Sequence, residues 1–108
     1  MLYELRTYLI PSGRMDDILN RFEDVTMHLF KKYDMEVVGF WTVIKPEDKY
    51  ALVYLMRYSD EVAMEKAWAA FRADSEWIKT RELTEANGPI VEEVISEHLI
   101  PTAFSPMQ

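Results

Sequence analysis

The sequence predicts an α+β domain whose elements follow in the order strand, helix, strand, strand, helix, strand. Segments with two-residue alternation or with many aromatic and β-branched residues predict the strands, and segments with apolar residues at three- or four-residue spacing predict the helices. The 108 residues fit one domain and leave no room for a second. Right-handed crossovers fold this βαββαβ order into a four-stranded antiparallel sheet with both helices on one face.

The opening segment, Leu2 to Ile10, alternates between two faces, as a half-buried strand does. One face is mainly apolar and suits a helix layer: Tyr3, Leu5, Thr7 and Leu9. The other face is charged and aromatic: Glu4, Arg6 and Tyr8. This strand is expected at the centre of the sheet. Because its apolar face suits the helices, its charged face should point away from them.

The first helix is predicted from about Gly13 to Lys32. Pro11-Ser12-Gly13 ends the strand and makes Ser12 a candidate N-cap, while Asp16 and Asp17 fall in the first turn, where the helix dipole favours negative charge. Apolar residues then form one stripe along the helix: Met15, Ile18, Leu19, Phe22, Val25, Leu29, Phe30 and Tyr33. Asp34 is expected in the left-handed conformation that ends a helix.

The second and third strands form a predicted hairpin, Met35 to Ile44 and Tyr50 to Tyr58, with a loop of suitable length at 45–49. Ser59-Asp60 opens a second helix, for which a stripe of mainly small residues is predicted: Ala63, Ala67, Ala70 and Phe71. Asp74 is expected to cap a further short helix to about Glu85. The fourth strand is predicted at Ile90 to Ile100.

Both faces of the predicted hairpin are apolar, yet the helices cover only one face of the sheet. Fully burying one large apolar side chain is worth about 1.5–3 kcal/mol. Leaving five or six of them in water would therefore forfeit roughly 10 kcal/mol, comparable to the whole stability of a small domain. The same face of a second copy is the simplest cover, so we expect a homodimer formed about a two-fold axis.

Composition excludes several classes of function. With 12 Lys and Arg against 19 Asp and Glu, the net charge of −7 disfavours nucleic acid and anionic membranes as partners. Cys is absent, which removes disulfide and thiolate chemistry. The chain starts without a signal-like segment, and no apolar run is long enough for a membrane span. We expect a soluble cytoplasmic protein with no metal site and no bound cofactor.

Four stretches in order along the chain, YELRTYLIPSG, KKYDMEVVGFWTV, RADSEWIKT and HLIPTAFSPM, resemble the NIPSNAP family of the dimeric α/β-barrel superfamily. The resemblance implies a ferredoxin-like subunit whose sheet packs on its partner's sheet around an enclosed cavity. Relatives in that superfamily include cofactor-independent monooxygenases, isomerases and haem-handling enzymes, and the resemblance supplies no catalytic residue set. The loop at 45–49 departs from the family's frequent Gly-Pro-x-Asn turn, which implies a different cavity mouth.

The charged face of the first strand is the strongest candidate for a ligand site. In the barrel, Arg6 would bind a carboxylate, phenolate or enolate, Glu4 would act as a base and Tyr8 as a hydrogen-bond donor. The alternative is structural: buried charges are tolerated mainly when paired, so Glu4 and Arg6 could simply neutralise each other or cross-subunit partners.

Trp41, Tyr54 and Met56 are the candidates for the apolar wall of the cavity, with Phe40 and Val53 as the alternative if the strand faces are reversed. His98, near the end of the fourth strand, is a surface residue, a proton shuttle or an axial haem ligand. The sequence contains no His pair or Cys that indicates a transition-metal site.

Two functional hypotheses follow from these observations. The first is a homodimeric barrel protein that binds a small apolar or aromatic molecule, with cofactor-independent monooxygenase or isomerase activity as its catalytic form. The second is a non-catalytic dimeric scaffold or protein-interaction module, motivated by the missing catalytic constellation and by Trp68 at the edge of the second helix's stripe. The sequence specifies neither a substrate nor a reaction.

Overall fold

The structure, a computed structural model, describes residues 1–44 and 50–108, so the predicted hairpin loop at 45–49 lies outside the described residues. The strands are β1 (Leu2–Ile10), β2 (Glu36–Val43), β3 (Tyr50–Tyr58) and β4 (Glu93–Leu99). The helical elements are α1 (Met15–Arg21), a π-helical turn (Phe22–Thr26), α2 (Met27–Lys32), α3 (Glu61–Ala73) and α4 (Ser75–Thr84). None of these helices is long and apolar enough to cross a membrane.

The strands form one antiparallel sheet in the order β2-β3-β1-β4, with helices on one face. This confirms the predicted α+β, ferredoxin-like fold. The central strand β1 places Arg6 opposite Tyr54 on β3 and opposite Ser96 on β4. Directly opposed residues of an antiparallel pair share one face of the sheet, so these three side chains point the same way.

The first helical segment is continuous from residue 15 to residue 32 but contains a π-helical turn. A π turn closes its hydrogen bonds between residues i and i+5 and so takes in one residue more than an α turn. The buried side chains of the whole helical segment therefore differ from the predicted apolar stripe. They are Ile18, Arg21, Phe22, Thr26, Leu29 and Phe30. Ser12 is not the cap, since the N-cap residue is Arg14 and no side chain bonds to the free amides.

Aspartates end or begin three of the helices. Asp34 adopts the left-handed conformation with φ 53°, as predicted. Asp60 caps α3 by accepting from the amide of Ala63 at 2.8 Å. Asp74 caps α4 and also accepts from Lys32 and Tyr33, which ties α4 to the first helical segment. The hydrogen bonds from Lys32 and Tyr33 hold the pKa of Asp74 far below its usual range.

The buried face of α3 consists of Met64, Trp68 and Phe71. The predicted stripe of alanines was therefore misplaced: Ala63, Ala67 and Ala70 lie beside this face and stay partly exposed. The large side chains at positions i, i+4 and i+7 remove far more apolar area from water than alanines do. This difference decides which face of α3 packs against the sheet.

The predicted orientation of β1 was wrong. Glu4, Arg6 and Tyr8 point towards the helices: the Trp68 indole donates to Glu4, the guanidinium of Arg6 lies over the Trp68 ring, and the ring of Tyr8 contacts Phe22. Charged groups occupy the helix face because each has partners there, so their burial is compensated.

The opposite face carries no helix, and we call it the open face: Leu5, Trp41, Val53, Ile95 and Leu99. Trp41 is 53% exposed, and Ile95 and Leu99 are each 40% exposed. Near one end of this face the last residue returns to the sheet, where the Tyr3 hydroxyl donates to the backbone oxygen of Gln108. The remaining apolar side chains of the open face stay accessible within one subunit.

Candidate functional site

Glu4 is the centre of a buried hydrogen-bond network between the sheet and the helices. Its Oε1 accepts from the Tyr58 hydroxyl and from the Trp68 indole N–H, both at 2.8 Å. Its Oε2 accepts from Nη1 of Arg6 at 2.9 Å and from the Ser96 hydroxyl at 2.6 Å. The Glu4 side chain is 3% exposed, so these four donors replace water around the carboxylate.

The protonation state of Glu4 follows from this network. Burial opposes its charge most strongly, but the bonds from Ser96, Trp68 and Tyr58 and the charge of Arg6 together outweigh burial and lower the pKa of Glu4. A carboxylate with both oxygens bonded and a lowered pKa is a poor base. The geometry supports the structural alternative, a buried ion pair with Arg6, and does not support a role for Glu4 as base.

Arg6 connects this network to two tyrosines. Its Nε donates to the Tyr54 hydroxyl at 2.7 Å and its Nη2 donates to the Tyr8 hydroxyl at 3.2 Å. Its guanidinium lies 4.3 Å from the centre of the Trp68 ring, a cation–π distance. Burial disfavours the charge of Arg6, but the oxygens of Tyr54, Tyr8 and Glu4 outweigh it and raise the pKa further. Arg6 is a fixed positive charge under the helices.

The direction of the hydrogen bonds leaves the Tyr8 proton free. The two tyrosine hydroxyls lie 2.8 Å apart, and the Tyr54 oxygen already accepts from Arg6. Tyr54 is fully buried, and burial raises its pKa well above the usual value, so its hydroxyl keeps a proton that must be donated. Tyr8 is the acceptor within reach. The Tyr8 oxygen thus accepts from Tyr54 and Arg6, and its own proton has no acceptor among the described residues.

A cavity of about 300 Å³ lies between the sheet and the helices of the single subunit, and Tyr8 belongs to its lining. Aromatic and charged residues share the wall, and the aromatic ones besides Tyr8 are Phe22, Phe30, Tyr54, Trp68, Phe71 and Trp77. Several of these rings meet edge to face at centroid distances of 5.2–5.8 Å, which fixes their orientation. Val94 and its neighbours on the β4 side complete the lining.

Arg21 and Thr26 supply a second polar region of the same cavity. Nη1 of Arg21 donates to the Thr84 hydroxyl and to Glu85 Oε2, both at 3.2 Å, and its guanidinium lies 4.9 Å from the Trp77 ring centre. Arg21 Nε and Thr26 Oγ1 are buried and have no hydrogen-bond partner within the part of the chain that the structure describes. Burial is also the main reason that the pKa of Arg21 is lowered, although Glu85 opposes it.

The structure brings together three of the seven predicted ligand residues. Arg6, Tyr8 and Tyr54 line the cavity, and Glu4 lies directly behind them. Met56 is fully buried beside Glu4 but does not belong to the lining.

Two predicted residues lie elsewhere. Trp41 is on the open face, opposite Val53, so its assignment to the same wall as Tyr54 was wrong; Phe40 is the β2 residue that faces Tyr54. His98 is exposed near the end of β4 and is not a lining residue, so this geometry does not support an axial haem role.

Sequence reasoning missed Arg21, Thr26, Trp68 and Trp77 as lining residues. The two polar residues flank the predicted apolar stripe, where a search for apolar periodicity passes over them. The residues that the structure describes contain no group of three or more His, Cys, Asp and Glu side chains placed to hold a metal ion.

Fold and site together define a ferredoxin-like α+β protein with a cavity of aromatic and charged residues between its sheet and its helices. The chain belongs to the NIPSNAP family, whose profile matches residues 3–106, and this confirms the resemblance seen in the sequence. No curated protein matches the chain.

Solved structures similar to this chain include members of the same family. An uncharacterized NIPSNAP domain protein from Burkholderia xenovorans is 26% identical, with a TM-score of 0.82 and 98% of this chain and 99% of that chain covered. A NIPSNAP family protein from Agrobacterium tumefaciens is 18% identical, with a TM-score of 0.84 and coverage of 99% and 98%. A Streptomyces coelicolor monooxygenase in complex with Nanaomycin D shares the fold more distantly, at 11% identity, a TM-score of 0.61 and coverage of 94% and 88%.

Proposed function

We propose that this NIPSNAP protein binds a small aromatic molecule in the cavity between its sheet and its helices, with a carbonyl or phenol oxygen of the molecule hydrogen-bonded to Tyr8. One arrangement carries the proposal: the chain of hydrogen bonds from Glu4 through Arg6 and Tyr54 reaches the hydroxyl of Tyr8, a residue of the cavity lining, and Tyr8 keeps its proton for a ligand when the buried Tyr54 is the donor between them. A donor held in this way is preorganised for a ligand acceptor.

The size and wall of the cavity support the choice of ligand class. A volume of about 300 Å³ lies at the lower end of the range of small-molecule pockets, about 300–1,000 Å³. Rings at the wall offer edges and faces to a planar ligand, and the Trp68 and Trp77 rings already interact with arginines. The ligand that fits is a planar molecule of one to three rings with an oxygen at one edge.

The same geometry supports cofactor-independent monooxygenase or isomerase activity. Because Arg6 and Tyr54 both donate to the Tyr8 oxygen, Tyr8 can stabilise negative charge that develops on an enolate or phenolate oxygen. An isomerase would need a carboxylate of the lining, Glu85, Glu92 or Glu93, to take the proton from one carbon and return it at a second. A monooxygenase would convert a CH₂ group and O₂ into a carbonyl group and water. The Streptomyces coelicolor monooxygenase supports this chemistry only through its fold.

The proposed functional unit is a homodimer formed by two open faces. Trp41, Ile95 and Leu99 are large apolar side chains exposed by 40–53% on a face that no helix covers. A second copy would cover them by a two-fold contact and would leave the cavity, on the other side of the sheet, intact. Light scattering of Val53→Asp tests this: a charge at the centre of the open face is expected to give monomers. Val62→Asp, an exposed position of α3, is the matched control.

Calorimetric titration with 1-naphthol tests the ligand proposal. Tyr8→Phe is expected to weaken binding by about five- to tenfold, since one hydrogen bond contributes about 1 kcal/mol. Tyr33→Phe also removes a hydroxyl but outside the cavity, so it should bind as the wild type does. Val94→Trp, at a partly exposed strand position, should fill the cavity and abolish binding. Equal affinities of the two Phe variants would contradict the proposal.

The scaffold hypothesis loses the observation that motivated it. Trp68 is 6% exposed, and its indole N–H is bonded to Glu4, so it is a core residue and not a docking residue. A substitution of Trp68 would therefore lower the stability of the fold, and a loss of partner binding in such a variant would not show that Trp68 contacts a partner.

A further inference from the structure

Two buried polar atoms of the first helical segment have no hydrogen-bond partner among residues 1–44 and 50–108: Nε of Arg21 and Oγ1 of Thr26. Arg21 is 7% exposed and Thr26 is 3% exposed, and both line the cavity. Most buried polar groups in proteins are bonded, because an unpaired one retains its full desolvation cost. These two unpaired groups belong to residues of one cavity wall, so a ligand there can supply the missing partner once the side chains turn towards it.

The helix geometry brings these two residues to the same wall. Arg21 immediately precedes the π-helical turn Phe22–Thr26, and Thr26 is its last residue. In a π turn residues i and i+5 are hydrogen-bonded neighbours, whereas in a regular α-helix they would lie on different sides. Such turns occur frequently at functional sites. The irregular turn therefore brings Arg21 and Thr26 to the lining of one cavity.

The charges around Arg21 favour an anion. Arg21 and Arg81 both contact the same carboxylate oxygen, Oε2 of Glu85, at 3.2 and 3.3 Å. Arg72 also lines the cavity at this end, beside the ring of Trp68. The other carboxylates of the lining, Glu92 and Glu93, belong to the segment that enters β4. Over the whole lining, four arginines stand against three carboxylates, and Arg6 is already paired with Glu4. The excess positive charge is therefore local to Arg21 and Arg81, which share one carboxylate oxygen.

We propose that the ligand is an aromatic acid whose carboxylate accepts hydrogen bonds from Arg21 and Thr26, while its ring system lies among Phe22, Phe71 and Trp77. This inference rests on the proposed function and names the chemical class of its ligand. Both unpaired atoms are shielded from bulk water. Contact requires that Thr26 rotate about its Cα–Cβ bond and that the Arg21 guanidinium turn while it stays over the Trp77 ring.

The test compares two probes of nearly equal shape, 1-naphthoate and 1-naphthamide, by isothermal titration of the full chain. The wild type is expected to bind the acid at least about tenfold more tightly, because charge-assisted hydrogen bonds are roughly twice as strong as neutral ones. Arg21→Gln should abolish this preference. Lys79→Gln, which removes a positive charge from an exposed position of α4 outside the cavity, should leave it unchanged.

Thr26→Val separates ligand contact from structural support. Valine keeps the shape of threonine and removes a hydroxyl that has no partner in the described part of the chain, so the melting temperature should stay the same or rise. Binding of 1-naphthoate should weaken by about fivefold. A lower melting temperature with unchanged affinity would overturn the inference.

The outcomes also distinguish this inference from the function on which it rests. Equal affinities for the two probes, with binding that still depends on Tyr8, would overturn the acid and leave the proposed function standing. If 1-naphthol and both probes all fail to bind the wild type, the proposed function fails and this inference fails with it.

Discussion

Replacing Glu4 by Gln removes the charge at the centre of the buried network while keeping the size of the side chain. The carboxylate accepts four hydrogen bonds, among them one from Arg6 at 2.9 Å, and is 3% exposed. In either orientation the new NH₂ group faces donors, and Arg6 loses its buried counter-charge. Breaking a buried ion pair by removing one partner costs about 3–5 kcal/mol. This is a large part of the roughly 5–15 kcal/mol that stabilises a typical domain.

Urea unfolding at one fixed protein concentration, followed by circular dichroism and tryptophan fluorescence, measures this loss. Glu65→Gln is the matched control, because Glu65 is exposed on α3 and a surface substitution changes stability by about 0.5 kcal/mol or less. A loss in Glu4→Gln below about 1 kcal/mol, or equal to that of the control, would refute the network as a source of stability.

Glu4→Gln should also change how the free energy of unfolding depends on pH. The pKa of Glu4 lies below its ordinary value of 4.5 in the folded protein. Its stabilising contribution is therefore complete above the unfolded pKa and is lost as the pH falls through the lower folded pKa. The acid limb of the stability profile should be shallower in Glu4→Gln than in the wild type. An identical acid limb would show that Glu4 does not change its protonation on unfolding.

Three further substitutions test other parts of the fold. Trp68→Phe keeps an aromatic ring but removes the indole donor to Glu4, and urea unfolding should show a loss of about 1.5–3 kcal/mol; no loss would mean that the bond contributes nothing. Asp60→Ala removes the cap of α3 and should cost about 1 kcal/mol in thermal unfolding, whereas an unchanged midpoint would show that the cap is dispensable. Gly39→Ala would place a Cβ 2.9 Å from the ring of Trp41, so the half-exposed ring must move aside. Light scattering should then show weaker dimer association, while the stability of the subunit changes little. Unchanged association would count against Trp41 as a dimer contact.

The order of the elements and the sheet could be predicted from the sequence because periodicity and capping residues act locally. The face of β1 could not, because alternation shows that Tyr3 and Glu4 lie on opposite faces but not which face meets the helices. Burial of Glu4 depends on donors far away in the chain, such as Trp68 and Ser96. A charge that is costly when judged alone becomes acceptable when distant residues are bonded to it.

The wall of the cavity was mispredicted in β2 for a related reason. A register shift between Val37 and Gly39 interrupts the strict alternation of that strand. Residues before and after the shift, such as Val37 and Trp41, therefore fall on different faces, although counting by two places them together. Where alternation is unbroken, as on β1, it correctly placed Arg6 and Tyr8 on one face, but it did not show that this face meets the helices.

The π-helical turn also sets how the chain can vary in length. Deleting one residue from Phe22–Thr26 would restore ordinary α-helical spacing, and because the π turn holds one residue more than an α turn, the residues downstream would keep nearly the same direction around the helix axis. Leu29 and Phe30, at most 1% exposed, would then stay in the core. The change would be local, since Arg21 and Thr26 would no longer be joined by a π turn. Elsewhere in the same helix, a one-residue deletion would turn everything downstream by about 100°, so this turn is the place where the segment tolerates a change of length.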